Sequence, residues 1–428
     1  STPGEVLLGN DGGFYKSTNN GTSSVKDNSL PITQFYRFYI DPQDMNKLYG
    51  GSQDNSTIRT TTGGTNDWST IYGGDGFQPL VDATNSNVIY ALSQNGNLGK
   101  STNNGGSFSN ATNGISGGDR NNWDTPIAMD PNDSQTLYYG TQRVYRTTNA
   151  AGVWAPISPD LTNGPGGGNL SFGTIISIDV SPVNSDIIYA GTDDGNVWVT
   201  EDGGTNWDNI SATLPARWVT KVKAHPSSED RVYVTFSGYR YGEDDGHVFY
   251  SDNRGATWTD ITTNLPDIPV NDIEITSFSG ILIATDIGVL QTDVEGGNWN
   301  PFGENLPSVV VTDLVGYPIN EEAKYIYAAT YGRSSYRIYV GELGIGDEVL
   351  GQTRVYPNPA TDFVNIELPN LSGSINIIVY DNMGREVSEL FTSEENKMRL
   401  DVSGIASGIY YLKISEGAKS TVKKLIIK

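Results

Sequence analysis

The pattern Ser251-x-Asn253-x-Gly255-x-Thr257-Trp258 constrains this chain to one kind of fold, because it recurs along most of its length. Thr200-x-Asp202-x-Gly204-x-Asn206-Trp207 repeats it almost intact, and Ser101-x-Asn103-x-Gly105-x-Ser107-Phe108 follows closely. The frame from Thr292 to Trp299 keeps Gly296 and its tryptophan, and the frame from Thr147 to Trp154 keeps Asn149 and its tryptophan. Ser17-x-Asn19-x-Gly21 has Ser24 in place of the aromatic, and the frame ending at Trp68 is eroded. Five of the eight tryptophans hold this one position. The Asn/Asp and Ser/Thr side chains can bond a turn's backbone, and glycine takes a φ that other residues resist. The aromatic then has a large apolar surface to bury, which the reading places within its own blade.

The aromatic anchors at 68, 108, 154, 207, 258 and 299 lie 40 to 53 residues apart, the span of a four-stranded propeller blade. Short runs such as "IIYAGTDDGNVWVTED" (187–202) and "ILIATDIGVLQTD" (281–293) precede the turn, and "WTDIT" (258–262) follows it. A loop then leads to an inner strand such as "ISIDVSP" (176–182) or "VTKVKAHP" (219–226). The "YAGT"-type strand occurs eight times, starting near Val6, Leu48, Ile89, Leu137, Ile188, Val232, Leu282 and Ile326. The first copy has no inner strand ahead of it and the last has no turn motif after it. Seven blades are expected, closed by strands from both ends, with eight as the alternative count. The opening in mid-blade carries the expectation that Ser1 is not the natural N-terminus, and a missing upstream propeller is a further alternative for the surplus strand.

The motif resembles the Asp-box of sialidase-like, sortilin-like and family 74 glycosidase-like propellers, over roughly Glu5 to Val340. The resemblance implies an all-β propeller whose boxes lie on the rim, away from ligands. Ser101, Asn103, Gly105, Phe108, Trp154, Thr200, Asp202, Gly204, Trp207, Ser251, Asn253, Gly255, Trp258 and Trp299 are then structural.

The repeat stops near Val340, and residues 341–353 read as a Gly-rich linker. From 354 to 428, alternation and turn spacing give about seven strands, as in a small immunoglobulin-like sandwich. Tyr356-Pro357-Asn358-Pro359 opens this segment, and Tyr380-Asp381-Asn382-Met383-Gly384-Arg385 makes a central hairpin turn. Gly408-Ile409-Tyr410-Tyr411-Leu412 supplies a late strand, and Lys423-Lys424-Leu425-Ile426-Ile427-Lys428 ends the chain. In this order the segment is similar to the type A C-terminal sorting domain of the Bacteroidetes type IX secretion system. The resemblance implies export across the outer membrane, recognition by the translocon and its shuttle barrel, and sortase cleavage near the linker.

Bulk chemistry narrows the partners. Gly at 50 residues with 36% hydrophobic and 10% aromatic content fits a turn-rich β protein with a core. Without cysteine there are no disulfides, thiolate zinc sites or cysteine nucleophile. No apolar run approaches the roughly 18 residues of a membrane helix, so an integral membrane protein is not expected. Residues 352–428 carry nine basic and nine acidic groups, so the formal charge of −23 resides in the first 351. Such an acidic body argues against nucleic acid and anionic membrane as partners.

Chemistry-bearing residues are sparse. His225 precedes Pro226 where other repeats place Asp41-Pro42 and Asp130-Pro131, and reads as a substituted turn residue. His247 follows Glu243, Asp244 and Asp245, a metal-capable run that equally makes a hairpin tip, so neither metal nor cofactor is expected. Propeller glycosidases work with a carboxylate pair. Asp11, Asp54, Asp75, Asp194, Asp286 and Asp313 lie near strand ends, with Asp54 and Asp286 as the catalytic candidates, although "TDDG" and "TDIG" also suit hairpin turns. Tyr72, Trp123, Trp218, Tyr239, Tyr241 and Tyr331 could stack on sugars, while Gln53, Asn55, Gln142 and Arg143 could line a ligand face. A sialidase is disfavoured, because Tyr336-Arg337-Ile338-Tyr339 lacks the proline of that family's signature and lies at the wrong end of the chain. The expectation is therefore an exported propeller that binds glycan or protein. The alternatives are a family 74 type hydrolase acting on plant-like polysaccharide and a structural adhesin component.

Overall fold

The computed structural model describes residues 4–10, 13–27, 30, 32–166, 172–238, 245–276, 280–292, 297–303, 306–318, 325–340, 353–368, 374–381, 385–387, 391–393, 395–416 and 419–428. The chain divides into two units, Ser1–Val340 and Gly341–Lys428.

In the first unit, six antiparallel sheets have four strands each, in chain order from inner to outer. Blade 1 is Phe35–Asp41, Asp44–Ser52, Ser56–Thr60 and Ser69–Tyr72. Blades 2 to 6 have inner strands Leu80–Asp82, Ile127–Asp130, Ile175–Val180, Val219–Ala224 and Val270–Thr276. Among the described residues blade 7 has three strands, Val311–Tyr317, Tyr325–Thr330 and Ser335–Tyr339. Second strands are apolar because both faces are covered: Ile188–Thr192 and Val232–Phe236 are buried at every position. The apolar clusters bridge neighbouring sheets, and the last joins Phe35 and Phe38 of blade 1 to Tyr327 and Ala329 of blade 7. Thr312 Oγ1 donates to the Phe35 carbonyl at 2.9 Å across that same seam. This closes a seven-bladed ring.

The ends do not combine as expected. Val6–Asn10, Gly13–Ser17 and Val25–Lys26 form a sheet of their own, corresponding to the second, third and outer strands of a blade. Phe35 and Asp313 close the ring without them. Every residue of Val6–Asn10 is exposed, where the equivalent strands of the ring are buried.

The boxes form the turns between third and outer strands. Gly255 N–H donates to Ser251 Oγ (2.8 Å) and Thr257 N–H to Asn253 Oδ1 (2.9 Å). Gly204 and Thr200, Gly105 and Ser101, and Gly21 and Ser17 repeat the first bond at 2.9 to 3.0 Å. The aromatic is placed differently from the reading. The Trp154, Trp207, Trp258 and Trp299 indoles donate to the carbonyls of Ala111, Ile157, Ile210 and Ile261, at 2.7 to 2.9 Å. Each acceptor directly follows the outer strand of the preceding blade, so the indole fastens two blades together. Phe108 has no N–H and only packs, against Tyr72 at 5.0 Å between ring centres.

The second unit is a seven-stranded sandwich. A three-stranded sheet (Arg354–Tyr356, Phe363–Glu367, Lys397–Asp401) opposes a four-stranded one (Phe391–Ser393, Ile375–Asp381, Gly408–Glu416, Lys419–Ile427). Val364, Ile366, Ile377, Val379, Leu412, Ile414 and Leu425 fill its core.

Candidate functional site at the mouth of the propeller axis

Inner strands all start on the face that carries the second-to-third-strand turns, opposite the boxes. Five of them share a β-bulge, at 35/37, 175/177, 219/221, 270/272 and 311/313. A bulge adds one unpaired residue and sharpens the local twist. It places Arg37, Ser177, Lys221, Asp272 and Asp313 at equivalent positions around the axis, and Tyr36, Ile176, Thr220, Asn271 and Thr312 one residue nearer the mouth.

The inner edge of each blade has no further strand to accept its N–H groups, and neighbouring side chains take that role. Asp313 accepts from Phe38 N–H and Asp272 from Leu314 N–H, both at 2.8 Å. Ser177 accepts from Val222 N–H at 3.1 Å and Asp179 from Ala224 N–H at 2.7 Å. Cations balance the acids: Arg37 Nε lies 2.7 Å from Asp124, Lys221 Nζ 3.0 Å from Asp272 and Lys223 Nζ 3.2 Å from Glu274.

Asp272 and Asp313 are hydrogen-bonded to each other and fully buried. Burial first, and then the Asp272 charge, push Asp313 up to about 8 against the pull of Lys221 and Arg37. Burial also opposes ionisation of Asp272, but Lys221 and the bonds from Asp313 and Leu314 outweigh it and hold that group low. At neutral pH the pair therefore holds one proton between its two carboxyls. Burial likewise raises Asp179 and Glu274, with Lys223 pulling each back.

Above this ring lies an aromatic platform. Tyr36 stacks on Phe77 at 4.9 Å and 16°, Phe77 meets Trp123 edge-on at 6.1 Å, and Tyr331 lies 5.9 Å from Tyr36. Trp123 is 45% exposed. Burial, then Tyr331 and Asp75, lift the Tyr36 hydroxyl to about 12. On the far side of the mouth Phe172, 56% exposed, meets Trp218 edge-on at 6.4 Å. Below the platform is a cavity of about 50 Å³ whose walls include Arg37, Gln78, Asp124, Ser177, Thr220 and Lys221.

The expected residues fall into three groups. Trp123, Trp218 and Tyr331 stand at the mouth. Tyr72 does not: it packs between the outer parts of blades 1 and 2 against Phe108. Asp54 and Asp286 share the mouth face but lie in turns of blades 1 and 6, with blade 7 between them. Asp286 accepts from Asn271 Nδ2 at 3.0 Å, and Asp75 accepts from Asp54 N–H at 2.9 Å. Asp194 braces its own turn through Thr192 and Asn196. Gln142 accepts from Arg120 N–H and Arg143 reaches Asp119, so both brace loops. Asn55 donates to the Gln53 carbonyl within its turn. His225 Nδ1 accepts from Ser227 N–H at 3.2 Å, as Asp41 does from Gln43, in keeping with a substituted turn residue. His247 is buried with Nε2 3.0 Å from Asp267. Asp11, Tyr239, Tyr241, Glu243, Asp244 and Gly384 lie outside the described residues.

Arg37, Lys221, Asp272, Tyr36 and Phe77 were not singled out in the sequence. The signal was there: "FYRF", "VTKV", "VNDI" and "VTDL" each place a charged residue third, between apolar residues at the first and fourth positions of the inner strand.

Fold and C-terminal module define an Asp-box propeller carrying its own export address. Residues 354–428 match the family described as secretion system C-terminal sorting domain, and residues 142–273 match that described as sortilin, neurotensin receptor 3. The sorting domain marks the chain for the type IX secretion system and for the cell surface or extracellular space. Among the described residues no helix is long and apolar enough to cross a membrane. Among curated proteins the chain is similar to the xyloglucanase of Hypocrea jecorina, 28% identical over 249 residues, 52% of this chain and 26% of that one. It also matches the oligoxyloglucan-reducing end-specific xyloglucanase of Emericella nidulans, 28% identical over 155 residues, covering 34% of this chain and 18% of that protein. The chain thus spans about a fifth to a quarter of these relatives' length. Among solved structures, a GH74 enzyme of Niastella koreensis has a TM-score of 0.55 at 15% identity, covering 92% of this chain and 73% of that one. YCF48 of Cyanidioschyzon merolae has a TM-score of 0.52 at 13% identity, over 74% of this chain and 99% of that one. These likenesses show the fold.

Proposed function

We propose that the chain is a glycan-binding propeller delivered to the cell surface by its sorting domain, with the mouth of the axis as its binding face. The observation that carries this reading is the Tyr36–Phe77–Trp123–Tyr331 platform, with Trp123 left open to solvent. Flat aromatic faces at a loop-lined mouth suit the apolar faces of sugar rings, and Gln53 and Asp75 nearby suit their hydroxyls. The resemblance to xyloglucanases favours a β-glucan of the xyloglucan type. Calorimetric titration of the full chain with xyloglucan oligosaccharides tests it: micromolar to millimolar binding is expected, abolished by Trp123→Ala. Absence of binding to any β-glucan would overturn the reading. On the export side, the type IX shuttle barrel is the expected receptor of residues 354–428, and a sortase the expected processing enzyme near the linker.

A second reading, hydrolysis of the same polysaccharide, is favoured by the xyloglucanase relatives. It predicts release of reducing ends from xyloglucan that disappears in Asp54→Asn or Asp286→Asn. A full chain that binds xyloglucan without cutting it would decide for the binding module. Protein binding is the further option, since a structural neighbour, YCF48, is seen bound to a peptide.

A further inference from the structure

The geometry points to an acid-specific subsite on the propeller axis, directly beneath the platform. In it Arg37 and Lys221 take the carboxylate of a uronic-acid sugar whose ring rests against Tyr36 and Trp123. This rests on the glycan-binding reading and names the sugar class that the site prefers.

Platform and well are registered by the chain itself. Tyr36 precedes Arg37, Phe77 precedes Gln78 and Trp123 precedes Asp124, so these three aromatics of the platform are each one residue from a polar wall of the cavity. A cavity of about 50 Å³ is too small for a sugar ring. It has room for a carboxylate or a few waters. The ligand body therefore stays on the platform and only a substituent enters.

The donors favour an anionic substituent. Arg37 commits Nε to Asp124, while its nearer approach to Asp313 is a 3.8 Å contact from Nη1, outside hydrogen-bond range. Lys221 commits one contact of its three donors to Asp272. The two side chains are 16% and 24% exposed, and both line the cavity. Among the described residues, Asp124 is the only carboxylate that lines the cavity, and Arg37 already holds it. Guanidinium and ammonium together at a partly desolvated spot make charge-assisted bonds to a carboxylate that a neutral hydroxymethyl group cannot match. The same two cations disfavour a metal ion there.

The test is a matched pair of oligosaccharides, one bearing glucuronate and one with that carboxyl reduced to the alcohol, titrated calorimetrically into the full chain. Hydrogen bonds to charged groups correspond to roughly a 10- to 100-fold preference for the acid form. Lys221→Gln and Arg37→Gln should each bring that preference close to unity while neutral-sugar binding persists. Lys221→Arg should retain the preference, which separates a lost charge from a damaged ring. Equal affinity of the wild-type chain for both sugars overturns the subsite and leaves the glycan reading standing, as does an undiminished preference in Lys221→Gln. Binding of neither sugar overturns both, and a poly-Glu peptide that binds where both sugars fail points to the protein reading instead.

Discussion

The indole N–H of Trp258 donates to the Ile210 carbonyl at 2.8 Å, joining a turn of blade 5 to the chain leaving blade 4. The same link runs from Trp154 to Ala111, Trp207 to Ile157 and Trp299 to Ile261. Neighbouring blades of a propeller share no backbone ladder, so packing and such isolated bonds hold them together. Alanine at the fully buried Trp154 or Trp299 is expected to cost about 3–5 kcal/mol. Phenylalanine should cost about 1–3 kcal/mol, because it keeps much of the packing and leaves a buried carbonyl unpaired. Phe108, which makes no such bond, is the internal control. Urea unfolding followed by tryptophan fluorescence gives the ranking, and a Trp154→Phe variant as stable as wild type would deny the hydrogen bond its role.

The box glycines have two jobs that can be separated. Gly255 has φ +90°, and a Cβ there would lie 2.3 Å from Ile210 Cδ1 of the preceding blade. Gly21 has a similar φ of +82° but open space around it. Gly21→Ala should therefore cost only the left-handed backbone term, about 1–2 kcal/mol. Gly255→Ala should exceed it by the expense of pushing the two blades apart, about 1–3 kcal/mol more. The double variant Gly255→Ala with Ile210→Ala should recover part of the excess. Equal effects at the two glycines would show that blade contact plays no part.

The spacing of Trp68, Phe108, Trp154, Trp207, Trp258 and Trp299 made the ring legible in the sequence, because each blade repeats one local turn. Which surface each indole meets was not legible. Ile210 lies 48 residues before Trp258, and only the closed ring brings the two together. Ring closure shows the same limit. The surplus strand at Val6 and the short last blade suggested a shared sheet, whereas Asp313 and Thr312 seal blade 7 directly to Phe38 and Phe35. At the mouth, Trp123 could be singled out as an odd aromatic in a loop. Tyr36 and Phe77 could not be singled out, since their stacking depends on where separate blades converge. The sorting domain was the most readable part, because "YPNP" and the basic last strand are local strings in a fixed order.

Asp313 makes the seam between blades 7 and 1 sensitive to pH. Its folded pKa of about 8 lies above its ordinary value of 3.8. Between those values the native chain holds a proton that the unfolded chain has lost, so this group's contribution is fully present at low pH and fades as pH rises through about 8. Asp313→Asn keeps an acceptor for Phe38 N–H and gains a permanent donor toward Asp272. The variant should melt close to wild type at pH 5 and roughly 2–4 °C above it at pH 9. Thermal denaturation across that range checks it, and a variant whose advantage is the same at both pH values would place the shared proton elsewhere.

Asn358, in the "YPNP" string, closes the free edge of the last strand. Its side-chain amide donates to the Lys424 carbonyl at 2.7 Å, and its carbonyl oxygen accepts from Ile426 N–H at 2.9 Å, as a backbone peptide group would. Ala360 continues the seal, accepting from Lys428 N–H and donating to the Ile426 carbonyl. An open edge strand invites pairing with other chains, so this seal protects the part of the domain that ends in Lys423, Lys424 and Lys428. Asn358→Asp loses the donor and Asn358→Ala loses both bonds, for a graded cost of about 1 and about 2 kcal/mol. Hydrogen exchange at Ile426 and Lys428 should accelerate in the same order, with the exchange at Leu412, deep in the sandwich, unchanged. Secretion should follow: reduced surface delivery for Asn358→Ala, and retention in the periplasm when residues 352–428 are removed. Normal delivery of the truncated chain would overturn the assignment of export to this domain, whereas normal delivery of Asn358→Ala with faster exchange at Ile426 would show that the translocon does not read the sealed edge.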